Sequence, residues 1–461
     1  MAPSPDASLP GLCEAKIAEQ TLPRSDTGLL KLSCLGVALI VLTAAGLPLH
    51  VPGAITLPSP RATLLFVALM GVAALIYFAA VVLVLRVRLR RSATWLVLGI
   101  AVVLRVIPLP TPPFLSSDVF RYVWDGKVQN AGINPYRYLP ADPALAALRD
   151  SAIYPHVNRA TYARTIYPPM AQLIFRAVAA ISPTILAMKL AAVAFELLAM
   201  GCIIAVLAAA GLPTERVLIY AWNPLAVWAF AGNGHVDAFA VGLIAAALLA
   251  QSRRHNTLTG ALLGAAILVK FLPAAMAPAL WRRRDWRMPA ACAATILLLY
   301  ACYIGVGRDV LGFLPGYASE EGLNQGTGLW LLAGLGDVLP LPAIASKLYL
   351  VIGAGVLVAA AAWVAFGSRP QPDPHRDIVR VAGNAAMLAA ATLIVLSPHY
   401  AWYYAWLALP CCICPLRSVI YLSAAALLLY LDPLDEHFFW PSLVFVPCIA
   451  LAVIDWRRPL A

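Results

Sequence analysis

The sequence predicts an all-α polytopic membrane protein with about twelve transmembrane helices. Three observations lead to this fold class. First, 62% of the 461 residues are hydrophobic and only 12% are charged, far from the usual composition of soluble globular chains. Second, apolar runs of roughly 17–25 residues, the length that crosses a bilayer, recur along the whole chain. Third, the basic residues sit in short clusters between these runs and not on one continuous face, so the net charge of +11 does not indicate a nucleic-acid partner.

The apolar runs define the predicted helices in chain order. We expect them at residues 29–48, 62–85, 93–108, 187–210, 214–231, 236–251, 288–306, 341–366, 379–396, 401–416, 418–431 and 439–455. Residues 1–28 are polar and lack the ordered regions of a signal peptide, so we expect a disordered cytoplasmic tail. Residues 29–461 are expected to form a single transmembrane domain.

The basic clusters set the predicted topology, because short cytoplasmic loops are enriched in Lys and Arg. The clusters fall on one side of the membrane if two segments do not cross it fully. We expect residues 168–181 to lie in the outer interface. Residues 256–281 have arginines at both ends and a break at Lys270-Phe271-Leu272-Pro273, so we expect a re-entrant hairpin. Both termini are then cytoplasmic, and Lys270 lies within the membrane, where a charge needs a cavity or a partner.

The opposite, outer side gathers most of the carboxylates and histidines that lie near helix ends. It comprises residues 108–169, 232–237, 307–338, 397–404 and 432–437, and residues 108–186 form a first large outer loop with interfacial helices. The sequence therefore predicts any active site on the outer face.

The outer loop opens with Ser116-Ser117-Asp118-Val119-Phe120-Arg121-Tyr122-Val123-Trp124-Asp125-Gly126, directly after the third predicted helix. The two acids, seven residues apart, share roughly one face of a helix. A structural interpretation is equally open at this point. In that interpretation Ser117 or Asp118 caps an interfacial helix, and Tyr122 and Trp124 are aromatics of the membrane interface.

Together with Thr165-Ile166-Tyr167-Pro168-Pro169, this layout resembles the GT-C superfamily of membrane glycosyltransferases, whose first large outer loop begins with an acidic residue just past a transmembrane helix. Within that superfamily it is similar to the bacterial polyprenyl-phosphomannose-dependent mannosyltransferases. Further elements that look like this group are Trp222-Asn223-Pro224, Gly232-Asn233-Gly234-His235-Val236-Asp237, Lys270-Phe271-Leu272-Pro273 and Ser397-Pro398-His399-Tyr400-Ala401-Trp402-Tyr403-Tyr404.

The resemblance implies an inverting glycosyltransferase that moves a sugar, most simply mannose, from a polyprenyl-phosphate donor to a lipid or glycan acceptor. The reaction would take place at the outer face of the plasma (inner) membrane. Such a site needs one base and groups that stabilise a leaving phosphate, and Asp118 is the candidate base. The candidate substrate-binding residues are Arg121, Tyr122, Asp125, Lys127, Tyr167, His235, Asp237, Lys270, His399 and Tyr403.

We expect no cofactor and no divalent metal, although Asp118, Asp125, His235 and Asp237 have suitable ligand atoms. A lipid-phosphate donor carries a single phosphate, which creates less need for a metal than a nucleotide diphosphate does. The expected partners are the lipid-linked sugar, its acceptor and membrane lipids.

Structural interpretations of several candidates remain open from sequence alone. His399 also fits an interfacial histidine, His235 and Asp237 also fit helix caps, and Lys270 also fits a side chain that snorkels to the inner headgroups. For the whole chain, the alternatives are a transporter or lipid flippase, a structural subunit, or a related transferase for arabinose, glucose or aminoarabinose. A repeat-built transporter would show a second long polar loop in its second half, and this sequence has none.

Overall fold

Six helices in the described part of the chain are long and apolar enough to cross a bilayer. The computed structural model describes residues 26–47, 59–323, 326–342, 344–367, 371, 373–434 and 438–457. Helices make up 75% of the structure, and these residues contain no β-strand. The predicted all-α, multi-pass membrane fold is therefore confirmed. The six helices are Asp26–Gly46, Pro60–Arg86, Ile185–Ala209, Ala345–Gly367, Pro374–Leu396 and Phe439–Trp456.

The α-helices range from single turns to full membrane spans. In chain order they are α1 (Asp26–Gly46), α2 (Pro60–Arg86), α3 (Ser92–Val106), α4 (Asp118–Asn130), α5 (Pro169–Ile181), α6 (Ile185–Ala209), α7 (Leu218–Ala221), α8 (Pro224–Ala226), α9 (Asp237–Ser252), α10 (Asn256–Ile267), α11 (Ala277–Leu280), α12 (Arg287–Ala301), α13 (Leu314–Glu320), α14 (Trp330–Gly336), α15 (Ala345–Ala362), α16 (Pro374–Leu396), α17 (Ala408–Cys411), α18 (Arg417–Ala425) and α19 (Phe439–Arg457). Residues 26–28 of the predicted tail belong to α1, and residues 1–25 lie outside the described residues.

Two further spans are bent, which raises the number of spans to as many as eight within the described ranges. Pro224–Gly232 meets Asp237–Ser252 at 119°, and Arg287–Ala301 meets Ile304–Glu320 at 111°. The predicted number of about twelve is not confirmed. Some runs that read as single spans in the sequence are divided into short helical pieces.

Residues 214–231 show why an apolar run is divided into short helical pieces. It contains a 3-10 turn, α7, α8 and the π-helical turn Val227–Gly232, with a break at Asn223-Pro224. Pro224 has no N–H for the helical ladder, and the Asn223 side chain instead accepts from the N–H groups of Leu225 and Ala226, at 3.0 and 3.2 Å. Residues 401–416 were also predicted as one helix, but they form the 3-10 helix Ala401–Leu407 followed by the single turn of α17.

The centre of the bundle depends on close helix contacts at small residues. α9 packs between α6 and α10, and α10 also packs on α12. A Cβ atom at Gly260 would lie 2.0 Å from the Met288 carbonyl oxygen, and one at Gly264 would lie 2.8 Å from the Cys292 carbonyl oxygen. Glycines four residues apart thus let the backbones of α10 and α12 approach, as is common between helices in membranes.

A buried ion pair joins the broken span to two of its neighbours. Arg105 of α3 donates through Nη2 to Glu196 of α6 at 2.7 Å, and both side chains are at most 1% exposed. Nη1 of Arg105 donates to the Ala221 carbonyl oxygen at 2.7 Å, and the Tyr220 hydroxyl donates to Glu196 at 3.0 Å. The pair therefore satisfies a backbone carbonyl next to the break before Pro224.

Basic residues follow the ends of α2, α9 and the segment 256–281. Asp26, at the start of α1, pairs with Arg90 in the connection between α2 and α3. Arg282 donates to the Gln251 carbonyl oxygen at 3.4 Å, which brings the two ends of the segment 256–281 together. The segment therefore reverses direction, as the predicted hairpin requires. α9 is 16 residues long, about 24 Å at the helical rise, so Asp237 at its start lies far from this basic end.

At the end opposite to the arginines that flank the hairpin, residues 304–320 (the second outer segment) pack against the first outer loop. Arg164 pairs with Asp309 at 2.8 Å, and the Phe313 N–H donates to the Thr165 carbonyl oxygen at 3.2 Å. Within the first outer loop, α5 packs on α4. With only 13 residues, α5 is too short to span a bilayer, consistent with its predicted interfacial position.

Candidate active site

A cavity of about 600 Å³ opens between the two outer segments and the ends of several helices. Its wall combines the start of α4, the turn before α9, the tip of the hairpin, α13 and the 3-10 helix that follows residue 400. Three carboxylates and two cations border it: Asp118, Asp237, Glu320, Arg159 and Lys270.

Asp118 lies at the rim because it is the first residue of α4. Its N–H donates to the Ser116 side chain at 3.2 Å, and the side chain of Ser117 makes no capping hydrogen bond. Oδ1 accepts from Nδ2 of Asn158 at 2.6 Å, and the side chain remains 20% exposed. Burial is the largest influence on this carboxyl and raises its pKa above the usual value, although the nearby Arg159 and Lys270 oppose the rise. A carboxylate with a raised pKa is suited to accept a proton.

The turn before α9 carries the polar side chains of Asn233 and His235. Gly234 has φ +71°, and a Cβ there would lie 3.0 Å from Val119 and 3.1 Å from Lys189, so both conformation and space favour glycine. Asn233 fixes the turn, since its Oδ1 accepts from the N–H groups of Phe114 and Leu115 at 3.1 and 3.0 Å. His235 follows and is 1% exposed.

Lys270 reaches the cavity from the tip of the hairpin. Its Nζ donates to both carboxylate oxygens of Asp237, at 2.8 and 2.9 Å, and lies 3.3 Å from the centre of the Tyr403 ring. The interpretation that Lys270 snorkels to the inner headgroups is therefore wrong. Asp237 thus directs both of its carboxylate oxygens to this ammonium group.

Arg159 forms the second cationic edge. Its Nε donates to both oxygens of Glu320 in α13, at 2.8 and 2.9 Å. Burial lowers the pKa of this guanidinium, but the contacts with Glu320 outweigh burial and leave the pKa above its usual value. Arg159 has φ +55°, a left-handed conformation that is uncommon outside glycine. Because its pKa is raised, the guanidinium stays charged beside Asp118.

Aromatic rings cover the apolar part of the wall. Tyr400 stacks on Trp402 with centroids 4.7 Å apart, and Trp402 stacks on His235 at 4.0 Å. On the other side Tyr122 meets Tyr167 edge to face at 4.9 Å. Flat apolar rings beside charged groups are suited to a sugar ring that is polar at its edge and apolar on its faces.

The structure brings together a majority of the residues that the sequence singled out. Those at the cavity are Asp118, Tyr122, Tyr167, Asp237, Lys270 and Tyr403. His235 lies directly behind Asp118, with Nδ1 3.9 Å from Oδ2. His399 borders a smaller neighbouring pocket of about 150 Å³, which shares Tyr317 and Tyr403 with the main cavity.

Arg121, Asp125 and Lys127 do not border the cavity, so we no longer assign them substrate contacts. Arg121 and Asp125 pair with each other at 2.9 Å, and both are buried. Asp125 also accepts from Gln172 of α5 at 2.9 Å. Although Asp118 and Asp125 share a helix face, Asp125 lies two turns further along α4, beneath α5. Lys127 donates to the Leu148 carbonyl oxygen at 3.0 Å and pairs with Asp150.

These three residues hold the outer loop in place. Arg121 donates to the carbonyl oxygens of Asn158 and Ala163, at 3.4 and 3.3 Å, and so supports the residues that place Asn158 and Arg159 at the cavity. Sequence reasoning missed Asn158, Arg159, Tyr317 and Glu320. Residues 158 and 159 lie in an irregular segment without periodicity, and the only local signal was the acidic pair Glu320-Glu321 in an otherwise mainly apolar region.

The helical membrane fold and a cavity that places a carboxylate beside cations and aromatic rings define a multi-pass membrane protein with an enzyme-like site. The family model described as "Alpha-(1->6)-mannopyranosyltransferase, N-terminal domain" matches residues 28–282, more than half of the chain. The chain therefore belongs to the MptA_B family and is a mannosyltransferase, with a sugar donor and an acceptor. This finding confirms the resemblance to membrane mannosyltransferases and favours an enzyme over a transporter or flippase. No curated protein and no solved structure shows significant similarity to the chain.

Proposed function

We propose that the protein is an inverting mannosyltransferase that uses a polyprenyl-phosphate-linked mannose as donor, with Asp118 as the general base. The observation that carries this proposal is the position of Asp118. It lies at the rim of a cavity, between two cations and beside aromatic rings, in a chain that spans a membrane. The family description suggests an α-(1→6) linkage to a mannose-containing lipid or glycan acceptor.

In the proposed reaction, Asp118 removes the proton of the acceptor hydroxyl. The hydroxyl oxygen forms a bond to the anomeric carbon, the bond from that carbon to the phosphate oxygen breaks, and the electron pair stays on the polyprenyl phosphate. Direct displacement inverts the anomeric centre, so a β-linked donor gives an α-linked product. Asn158 supports this role because its hydrogen bond to Oδ1 leaves Oδ2 as the oxygen that takes the proton.

Lys270 and Arg159 are our candidates for the leaving phosphate. Negative charge moves from Asp118 to the phosphate as the reaction proceeds, and fixed cations at the cavity lower the free energy of that change. Each cation is held by one carboxylate, Asp237 or Glu320. An ammonium group has three donors, and two of those of Lys270 bond Asp237. The third remains for a phosphate oxygen.

We propose a metal-independent reaction. The carboxylate of Asp237, a residue that sequence reasoning considered as a metal ligand, already has both oxygens bonded to Lys270. Lys270 and Arg159 thus supply the positive charge that a metal ion would otherwise bring to the phosphate.

We propose that the reaction takes place on the outer face of the plasma membrane. The cavity lies at the end of the bundle opposite to the arginines that flank the hairpin, and clusters of arginine in short loops favour the cytoplasmic side. The termini are then cytoplasmic, as the sequence predicts.

The test is transfer of labelled mannose from polyprenyl phosphomannose to an α-mannoside glycolipid by the purified protein, with GDP-mannose as the comparison donor. We expect transfer from the lipid donor alone. Asp118→Asn should lower turnover by about 10²–10⁴ and leave the protein folded. The matched control is Asp142→Asn, in the same loop but outside the cavity, where the side chain only caps a 3-10 turn. Normal turnover in the Asp118 variant would rule out this base.

A further inference from the structure

His235 is a buried imidazole without a hydrogen-bond partner. Neither Nδ1 nor Nε2 bonds to any group in the described part of the chain, and the residue is 1% exposed. Buried polar side chains are nearly always paired, so each exception needs an explanation. The rest of the turn is well satisfied, because the His235 N–H donates to the Ala229 carbonyl oxygen at 3.1 Å and the Gly234 N–H to that of Phe230 at 2.8 Å.

Oδ2 of Asp118 lies 3.9 Å from Nδ1 of His235. This is about 1 Å longer than a hydrogen bond. The ring is held in place, since it stacks on Trp402 with an angle of 20° between the planes and follows the tightly packed Gly234. The other oxygen of Asp118 bonds Asn158. Nδ1 therefore faces the one carboxylate oxygen that is open to the reaction.

The charge states of His235 and Asp118 explain why Nδ1 and Oδ2 lie 3.9 Å apart. An imidazole buried beside the Lys270 ammonium and without an acidic partner in contact is neutral, so one ring nitrogen is a donor and the other an acceptor. If Nδ1 carried the hydrogen, the bond to an ionised carboxylate would be strong and should close. If Nδ1 carries the lone pair, it has no attraction to an ionised oxygen, but it accepts a hydrogen bond as soon as that oxygen is protonated.

We propose that His235 is a positioning residue that accepts a hydrogen bond from Asp118 once Asp118 has taken the proton of the acceptor hydroxyl. This inference rests on the proposed role of Asp118. The proton stays on Oδ2, and the O–H donates to Nδ1 while the bond between mannose and phosphate breaks. After the products leave, the proton passes to water. The contact exists only when the base is protonated, so it stabilises the later part of the reaction and not the bound substrates.

The direction of the effect on Asp118 follows from its surroundings. Arg159 and Lys270 favour its ionised form, and Asp237 favours its protonated form. A neutral acceptor at His235 also favours the protonated form of Asp118, since it bonds only the protonated carboxyl. Removal of this acceptor should therefore lower the pKa of Asp118 in the enzyme–substrate complex. Four phenols face Asp118, those of Tyr122, Tyr167, Tyr400 and Tyr403. Burial raises the pKa of each phenol, so all four stay neutral.

Three substitutions separate this role from simple packing. His235→Phe keeps an aromatic ring on Trp402 and removes both nitrogens. His235→Asn places an amide oxygen near the position of Nδ1, and His235→Gln places one near Nε2. We expect the Phe variant to lose about ten- to a hundred-fold in kcat, with KM for polyprenyl phosphomannose within about two-fold. The acid limb of its kcat–pH profile should move to lower pH. The Asn variant should recover most of the rate, and the Gln variant little.

An acid limb that stays in place or moves to higher pH would overturn the inference, and so would an Asn variant as slow as the Gln variant. If the Phe variant does not fold, the comparison of Asn with Gln at matched thermal stability decides. Asp118→Asn in the same assay distinguishes the two levels of failure. If that variant turns over normally, the proposed function of Asp118 fails. If it is inactive while His235→Phe keeps the wild-type profile, only the present inference fails.

Discussion

Lys270 offers a quantitative test, because its stabilising and its functional contribution can be separated. In Lys270→Met, the carboxylate of Asp237 loses the partner that bonds both of its oxygens, and that carboxylate is only 2% exposed. Removing one member of a buried pair costs about 3–5 kcal/mol. Lys270 is 17% exposed, so water can partly replace it, and we expect a loss of about 3 kcal/mol in the free energy of unfolding.

The double variant Lys270→Met/Asp237→Asn removes the uncompensated charge as well. We expect it to recover most of the lost stability, since an amide costs far less to bury than a carboxylate. It should not recover transferase activity if the ammonium group contacts the leaving phosphate. Thermal unfolding in detergent micelles and mannosyl transfer from polyprenyl phosphomannose measure the two quantities in the same preparations.

The control is another buried pair that is remote from the cavity. Arg105→Met should destabilise the protein through Glu196, and addition of Glu196→Gln should restore activity and the part of the stability that the unpaired carboxylate costs. The rest of the stability stays lost, because the Ala221 carbonyl oxygen still lacks its donor. If the Lys270/Asp237 double variant regains activity in the same way, the reasoning is refuted, because Lys270 then only neutralises Asp237.

Two further predictions concern charge at the site and topology. Arg159→Gln should move the acid limb of the kcat–pH profile to higher pH, because Arg159 lowers the pKa of Asp118. The control Arg164→Gln breaks the pair with Asp309 and should leave the acid limb in place. Equal profiles for both variants would contradict the role of Arg159. A topology reporter fused after Pro140 should lie outside the cytoplasm and one after Pro370 inside, and the reverse result at either position would remove the site from the outer face.

Much of the fold class follows from local sequence. A bilayer requires about 20 consecutive apolar residues per helix, and this requirement leaves a signal that can be read run by run. For the same reason the sequence alone placed the hairpin, because its two arginine flanks and its central Lys270-to-Pro273 break are all local features. Asp118 could also be predicted, since it follows directly after an apolar run at the start of a polar segment.

The continuity of individual helices could not be predicted as reliably. Residues 214–231 and 401–416 are apolar enough to span a membrane, but only the folded structure supplies the partners that satisfy the backbone where the helix breaks. The side chains of Asn223 and Arg105 do this for the first run. Local hydrophobicity reports on burial, and it does not report on which hydrogen bonds close in three dimensions.

The sequence by itself determined the membrane class, the positions of several helices and the acid at the start of the outer loop. Only the tertiary structure decided which residues share the cavity. Asn158 meets Asp118 across 40 residues, and Arg159 meets Glu320 across 161, while Asp125, on the same helix as Asp118, is turned to Gln172. The physical reason is that a spanning helix is specified by its own interaction with lipid, whereas an active site is built from side chains whose proximity depends on how all the helices pack.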